Sequence, residues 1–412
     1  MKFEAPRGTH DVLPAQQPLW ERVIREAEEL CSKYGYKRIT TPVFEDTGLF
    51  ARTSGEGSDI VQKEMYTFTD RSDRSLTLRP EGTAPVARAY IQHGLHREPQ
   101  PVKTYFIGPM YRYAAPQRGK FREFWQFNLE AMGSDDPALD AEVIQLFDEL
   151  LRRLEIRGSW LELNSIGDRN CRPAYLEKLN AWLDEHAGEL DDETRAKREA
   201  SPLRVFDNLA QKPEAVQRLL AEAPKIGESL CEECQAHFDA VRSYLNSYGV
   251  EYRVTPTLVR GLDYYTRTTF EFMGEALGAQ SSLCGGGRYD YLIEEIGGPP
   301  TPGVGFASGI ERLVLSLTEQ GAEGAPPEID VFFAVEDGAV RADVLAAMGE
   351  LRRSGHAAET DYAGRSLKGQ LTQAGRLGAR ATVIARGDGV TVRRGGAQDE
   401  EFASLAEAVE SL

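Results

Sequence analysis

Glu123-Phe124-Trp125-Gln126-Phe127-Asn128-Leu129-Glu130-Ala131-Met132 alternates apolar and polar side chains along its length. Successive side chains of a strand point to opposite faces, so Trp125, Phe127, Leu129 and Ala131 share a core-facing side. Gln126, Asn128 and Glu130 share the other side, which meets either solvent or a ligand. The preceding stretch, 102–113, reads as a second strand reaching Arg112. Further strands are expected at 38–44, 64–68, 76–79 and 268–272, with Pro42 placing the first at an edge or an interface. Few helices separate the middle members. The pattern is that of an α+β unit, an antiparallel sheet flanked by helices.

Leu19, Trp20, Val23, Ile24, Ala27, Leu30, Cys31 and Tyr34 recur at helical spacing, and Gly35 follows as a C-terminal cap. From about 168 to 255 the texture turns charged and helical, as in an inserted subdomain of a first domain spanning 1–325. Residues 318–328 have linker composition. Beyond them, 329–412 alternates strand and helix, the mark of a small α/β domain with a largely parallel sheet. At 412 residues the chain exceeds one ordinary core, which agrees with this division.

Hydrophobic residues make up 41% and charged residues 27%, values typical of a folded globular chain. The sequence holds no unbroken apolar stretch of membrane-spanning length, and the N-terminal residues lack the apolar core of a secretory signal, so a cytoplasmic location is expected. A net charge of −17 argues against a nonspecific nucleic-acid coat, though not against a local basic track. The five cysteines, Cys31, Cys171, Cys231, Cys234 and Cys284, fit reduced thiols better than a disulfide framework. Cys231 and Cys234, followed by His237, form half of a zinc pattern, but no second CxxC or HxxxH completes it, and the reading is ordinary thiols with no protein metal cage.

Several segments carry chemistry. Ala114-Ala115-Pro116-Gln117-Arg118-Gly119-Lys120 is a long basic connection of the kind that contacts phosphates or a nucleic-acid end. Arg79-Pro80-Glu81-Gly82-Thr83 puts a carboxylate and a hydroxyl at a strand-to-helix turn, where Thr83 can cap the helix and Glu81 can hold an ammonium group. Arg260-Gly261-Leu262-Asp263-Tyr264-Tyr265 supplies a further cation. Cys284-Gly285-Gly286-Gly287-Arg288 lacks a P-loop lysine; its glycines allow either close approach to a ligand or a tight turn. The glycines of 303–309 do not have dinucleotide-fingerprint spacing, and a helix carrying Arg312 in its first turn follows them. Several arginines in a glycine-lined pocket suit a triphosphate.

Together these segments resemble the class II aminoacyl-tRNA synthetases, and within that class the histidyl-tRNA synthetase family, over nearly the whole chain. Residues 38–50 are similar to the dimerisation motif, 111–130 to the second class motif and 303–315 to the third. Residues 258–265 and 282–290 are similar to the two histidine-specific signatures. The resemblance implies an enzyme that activates L-histidine with ATP and transfers it to tRNA(His), acting as a homodimer with Mg2+ bridging the ATP phosphates. It implies that Arg112, Glu123 and Arg312 bind ATP and that Arg260 and Arg112 are catalytic. It also implies that Glu81, Gly82, Thr83, Arg112, Gln126, Glu130, Arg260, Tyr264 and Tyr265 surround histidine. Gln117, Arg118 and Gly119 would meet the tRNA acceptor end, and 329–412 would bind the anticodon. The stretch 386–402 is shorter than the family pattern leads one to expect. The alternative is a synthetase-like regulatory subunit of histidine biosynthesis that charges no tRNA; such a chain would be expected to lose the Arg260 signature and the C-terminal domain, and both are present here.

Overall fold

The strand Glu123–Met132 pairs antiparallel on one side with Val102–Tyr111 and on the other with Gly303–Gly309. A strand with two neighbours is central, and both of its faces are covered. Phe127, Leu129 and Ala131 are buried, and so are Gln126, Asn128 and Glu130, at 7%, 0% and 1% exposure. The polar face therefore lines the interior instead of meeting solvent. Trp125 departs from expectation: it is 36% exposed and stands edge-on to Trp20 near the strand's outer end.

The computed structural model describes residues 3–55, 58, 60–207, 209–275, 282–324 and 329–412. The chain separates into two compact units, Met1–Glu323 and Gly324–Leu412. The first is built on an eight-stranded sheet whose long members are antiparallel, in the order Lys37–Arg38, Val102–Tyr111, Glu123–Met132, Gly303–Gly309, Ser282–Arg288, Thr266–Gly274, Ser159–Ser165, Arg253–Val254. Helices Gln17–Lys33, Pro137–Arg153, Glu232–Tyr248 and Ile310–Glu319 share one core with its apolar face. Over the polar face lies helix Thr83–Gln92, continuous with a second apolar cluster that includes Tyr264, Tyr265 and Tyr289. Among the described residues no helix is long and apolar enough to cross a membrane.

The single strand expected at 38–44 is divided. Lys37–Arg38 joins the large sheet, while Phe44–Asp46 joins a three-stranded sheet with Ser75–Leu78 and Tyr66–Thr69. Pro42 supplies no N–H to a ladder, and the carbonyls of Thr41 and Pro42 instead accept from Arg79 Nη1 at 2.9 and 3.3 Å. The strand expected at 64–68 begins later, because Ile60–Glu64 is helical. Of the helices between 168 and 255, Arg172–Glu185 and Glu214–Glu222 pack in the second apolar cluster, whereas Glu232–Tyr248 places Phe238, Val241 and Leu245 in the main core. Its periodicity does not reveal which core it serves.

One ionic network crosses the main core. Arg288 and Asp140 are both fully buried, and Arg288 Nε donates to Asp140 Oδ1 at 3.0 Å. Asp140 also accepts from Thr268 Oγ1 at 2.6 Å and His237 Nε2 at 2.9 Å. Burial alone would raise the Asp140 pKa, but the Arg288 guanidinium and the bond from His237 hold it at about 2. His237 is thus committed to Asp140 and gives no support to the neighbouring cysteines as a ligand.

The second unit has a five-stranded sheet, ordered Ala358–Thr360, Val331–Val335, Ala381–Ala385, Val390–Arg394, Glu400–Phe402. Its first two pairings are parallel and its last two antiparallel. The expectation of a largely parallel sheet fails at its C-terminal side. There the short 386–402 stretch folds back as a hairpin, and helix Leu405–Glu410 follows. Helix Leu367–Arg376 is capped by Ser366 and anchored by Gln370, whose side chain accepts from Val335 N at 2.7 Å and donates to Val335 O at 2.9 Å.

Replacing Asp140 with Ala takes one of its two carboxylate partners from the buried Arg288 and removes the acceptor that Arg288, Thr268 and His237 share. We expect a loss of roughly 3–5 kcal/mol in equilibrium denaturation, the scale for breaking one side of a buried ion pair; a loss below about 1 kcal/mol would assign the network little structural weight.

Candidate active site

Between the polar face of the sheet and helix Thr83–Gln92 opens a cleft of about 190 Å³. It brings together Glu81, Gly82, Thr83, Arg112, Gly119, Gln126, Arg260, Tyr264, Tyr265 and Arg312, residues drawn from five separate stretches of sequence. Glu130 lies just behind Thr83, whose Oγ1 donates to Glu130 Oε1 at 2.6 Å. Glu123, Gln117 and Arg118 do not line the cleft. Gln117 closes a tight turn with Lys120, and Arg118 pairs with Glu319.

Three guanidinium groups face this space, each held from behind. Arg112 donates Nε to the carbonyl of Pro80 at 2.7 Å and lies 5.3 Å from the Phe124 ring. Arg312 donates Nε to the carbonyl of Gly119 at 3.1 Å, which draws the basic connection over the third arginine. Burial lowers the pKa of both groups, as expected for cations kept from water without a full set of counter-charges. Arg260 differs. Burial works against its charge, yet Glu271, 2.9 Å away, holds its pKa above the usual value. A Cβ on Gly285 would lie 2.0 Å from Arg260 Nη2, so this glycine is what lets the guanidinium lie flat on the sheet. That resolves the alternatives for the triple glycine. It is strand, Ser282–Arg288, and the missing side chains make room.

The opposite end of the cleft is a carboxylate pocket. Glu81, not Thr83, caps the helix: its two oxygens accept from Thr83 N and Ala84 N at 2.8 and 2.9 Å. The Thr83 hydroxyl takes no part in capping because Thr83 is itself the first residue of the helix and position 85 is a proline with no N–H to offer, and it turns to Glu130 instead. Tyr289 Oη donates to the other oxygen of Glu130. Burial raises the Glu130 pKa to about 8, with the bonds from Thr83 and Tyr289 opposing that rise. Between the two ends, Gln126 Oε1 and both amide atoms of Asn128 are buried without a hydrogen-bond partner. Buried polar atoms left this way are waiting for a ligand.

Asn128, Glu271, Tyr289 and Glu311 belong to the site but were not singled out as site residues from sequence. Asn128 was within reach of the alternation that exposed Gln126 and Glu130. Glu311, whose carboxylate accepts from Trp125 N at 2.8 Å and whose pKa burial raises to about 7, gives no local signal.

A large antiparallel sheet, with arginines converging from two strand-associated segments and a following helix, and with no side-chain nucleophile among them, defines the catalytic unit of a class II aminoacyl-tRNA synthetase. Within that class the chain belongs to the histidyl-tRNA synthetase family, whose sequence profile matches residues 8–313. It is 48% identical to the histidine–tRNA ligase of Desulforamulus reducens over 92% of this chain and 90% of that one. It is also 48% identical to the histidine–tRNA ligase of Moorella thermoacetica, over 100% and 98%. The crystal structure of apo histidyl-tRNA synthetase from S. aureus superposes with a TM-score of 0.83 at 36% identity, covering 100% of this chain and 99% of that one.

A carboxyl raised from 4.5 to about 8 contributes stability that is fully present below pH 4.5 and is lost as the pH climbs through 8. In the ligand-free protein, the melting temperature of the parent should therefore fall relative to that of Glu130→Gln between pH 5 and 9. Parallel pH profiles for the two proteins would contradict a buried, protonated Glu130.

Proposed function

We propose that this chain activates L-histidine with ATP, releasing pyrophosphate, and then esterifies the 3′ end of tRNA(His) with the activated amino acid. The observation that carries this reading is the pairing, in one cleft, of three fixed guanidinium groups at one end with the Glu81, Thr83 and Glu130 pocket at the other. In the first step a histidine carboxylate oxygen bonds to the α-phosphorus while the bond to the bridging oxygen breaks. Both partners are anions, so no protein nucleophile is needed and positioned cations do the work. Arg112 and Arg260 act on the α-phosphate, and Arg312 holds the γ-phosphate of a bent ATP. Glu123, at the rim where its strand begins opposite Tyr111, meets the adenine end.

Glu81, with Gly82 and Thr83, holds the α-amino group, and Gln126 orients the carboxylate. Glu130 and Tyr264 read the imidazole, and Tyr265 closes the pocket. An imidazole can add a hydrogen bond to Glu130, whose oxygens already accept from Thr83 and Tyr289, and a side chain with no polar group there adds none. Glu81 and Glu311 are the carboxylates that line the cleft, and among the described residues neither joins a cluster of three or more metal-ligating side chains. They do not fit a protein cage for Mg2+, which we take to arrive on the ATP phosphates.

In the second step a terminal ribose hydroxyl of tRNA attacks the acyl carbon and AMP departs. Gln117, Arg118 and Gly119 lie on the connection nearest the third arginine and suit the acceptor end. The basic start of helix Leu367–Arg376, with Arg365 and Lys368, suits anticodon phosphates in the second unit. Phe44 and Phe68, exposed by 47% and 43% on the three-stranded sheet and set edge-on to each other, suit a homodimer formed through that surface.

The test is amino-acid-dependent exchange of pyrophosphate into ATP without tRNA, run with each of the twenty amino acids. Histidine alone should support it; absence of exchange in a protein that still binds histidine would favour the regulatory reading. Arg260→Ala should lower adenylation by roughly 10² to 10⁴-fold, the scale of lost charge stabilisation in a transition state, with much less effect on histidine affinity. Gly285→Ala should reproduce most of that loss by displacing the same guanidinium, and full activity in that variant would contradict its supporting role.

A further inference from the structure

The CxxC pair left unexplained by the sequence has partners. Residues 168–171 and 231–234 each have the form of one ligand, two spacers and a cysteine, and the fold brings them together. One oxygen of Asp168 and the sulfurs of Cys171, Cys231 and Cys234 all lie within 4.8 Å of one another. The sequence pattern did not reveal this because the complementary pair is Asp-x-x-Cys, not a second CxxC, and lies some sixty residues upstream. We propose that Asp168, Cys171, Cys231 and Cys234 form a tetrahedral zinc site.

The chemistry of the donors fits. Three thiolates and a carboxylate are a soft, compact set that suits Zn2+ better than Mg2+ or Ca2+. With zinc–sulfur bonds near 2.3 Å, tetrahedral sulfurs stand roughly 3.8 Å apart, a spacing this cluster can adopt with small side-chain adjustments. Asp168, Cys171 and Cys234 are buried at 1%, 6% and 0% exposure, while Cys231 is partly exposed and leaves a route in. Cys171 and Cys231 stand at the N-cap positions of helices Arg172–Glu185 and Glu232–Tyr248, and neither side chain makes a capping bond.

The surroundings look like an outer shell. Asp168 Oδ1 accepts from Asn170 N at 2.9 Å, and Oδ2 lies 3.6 Å from Arg267 Nη2, which orients the carboxylate. Gly167 has φ +61°, and a Cβ there would lie 2.5 Å from Cys171 Sγ, so only glycine leaves the sulfur its place. A disulfide would use two sulfurs and leave a third thiol beside a buried carboxylate; all five cysteines are free.

The ion would tie two helix starts to the back of the cleft. Arg172, next to Cys171, donates to the carbonyl of Tyr265 at 2.7 Å, and Arg267 N donates to the carbonyl of Gly167 at 2.7 Å. These bonds fix the backbone on both sides of Thr266. The ligands are therefore positioning residues and need not touch substrate.

The experiment is elemental analysis of untagged full-length protein made in zinc-supplemented medium and purified without chelator. We expect about one zinc per chain. Cys171→Ser and the partly exposed Cys231→Ser should each lose it, while Cys31→Ser, altered in the main core, should keep it. Exchange for Co2+ should give thiolate-to-cobalt charge-transfer absorption and the strong visible bands of a tetrahedral site. A folded protein that retains no metal and takes up neither Zn2+ nor Co2+ would overturn the proposal. Two fewer reactive thiols in the denatured, unreduced chain would also overturn it, in favour of a disulfide. Neither result bears on whether the protein activates histidine, so the two readings stand or fall separately.

Discussion

A guanidinium sealed from water governs the arrangement of the catalytic unit. Arg288 and Asp140 join strand Ser282–Arg288 to helix Pro137–Arg153, and through Thr268 and His237 the same carboxylate reaches strand Thr266–Gly274 and helix Glu232–Tyr248. Such a pair contributes little net stability, since desolvation offsets most of its attraction, but it tolerates few alternative registers. The residues it holds in register are those that matter next. Gly285, three positions before Arg288, makes room for Arg260, and Tyr289, one position after, holds Glu130. A shift of one residue in this strand would turn both faces over.

The acidic chain gathers cations locally by building a counter-structure behind each one. Glu271 supports Arg260, the Pro80 carbonyl supports Arg112, and the Gly119 carbonyl supports Arg312. Cations held in this way need little reorganisation when negative charge develops beside them, and preorganised cations in a cleft with restricted water are worth more than the same cations at a surface.

Much of this was legible in the sequence where one rule acted alone. Period-two alternation placed Gln126, Asn128 and Glu130 on one face, although it could not say that the face was internal, because that depends on helix Thr83–Gln92 lying over it. The arginines were recognisable from their motifs. Other features required two parts of the chain to be seen together. Glu81 rather than Thr83 caps the helix because the helix begins at Thr83 itself, whose own N–H Glu81 takes. Pro42 divided a strand because Arg79 claims the nearby carbonyls. Glu311 reaches the site through a single backbone amide at Trp125, a contact that leaves no mark on either local pattern.

Gly305 leaves the Glu130 end of the cleft with no slack: a Cβ there would stand 2.1 Å from Glu130 Oε2 and 2.4 Å from the Leu129 carbonyl. The selectivity wall is thus made of one strand's backbone pressed against a neighbour's carboxylate. Drift toward another amino acid cannot proceed by gradual enlargement or trimming of a side chain at Gly305, since any addition collides and nothing remains to remove. A side chain at Gly305 would therefore have to be matched by a change at Glu130, its partner on the adjacent strand. The close approach of these strands therefore makes the choice of substrate historically sticky.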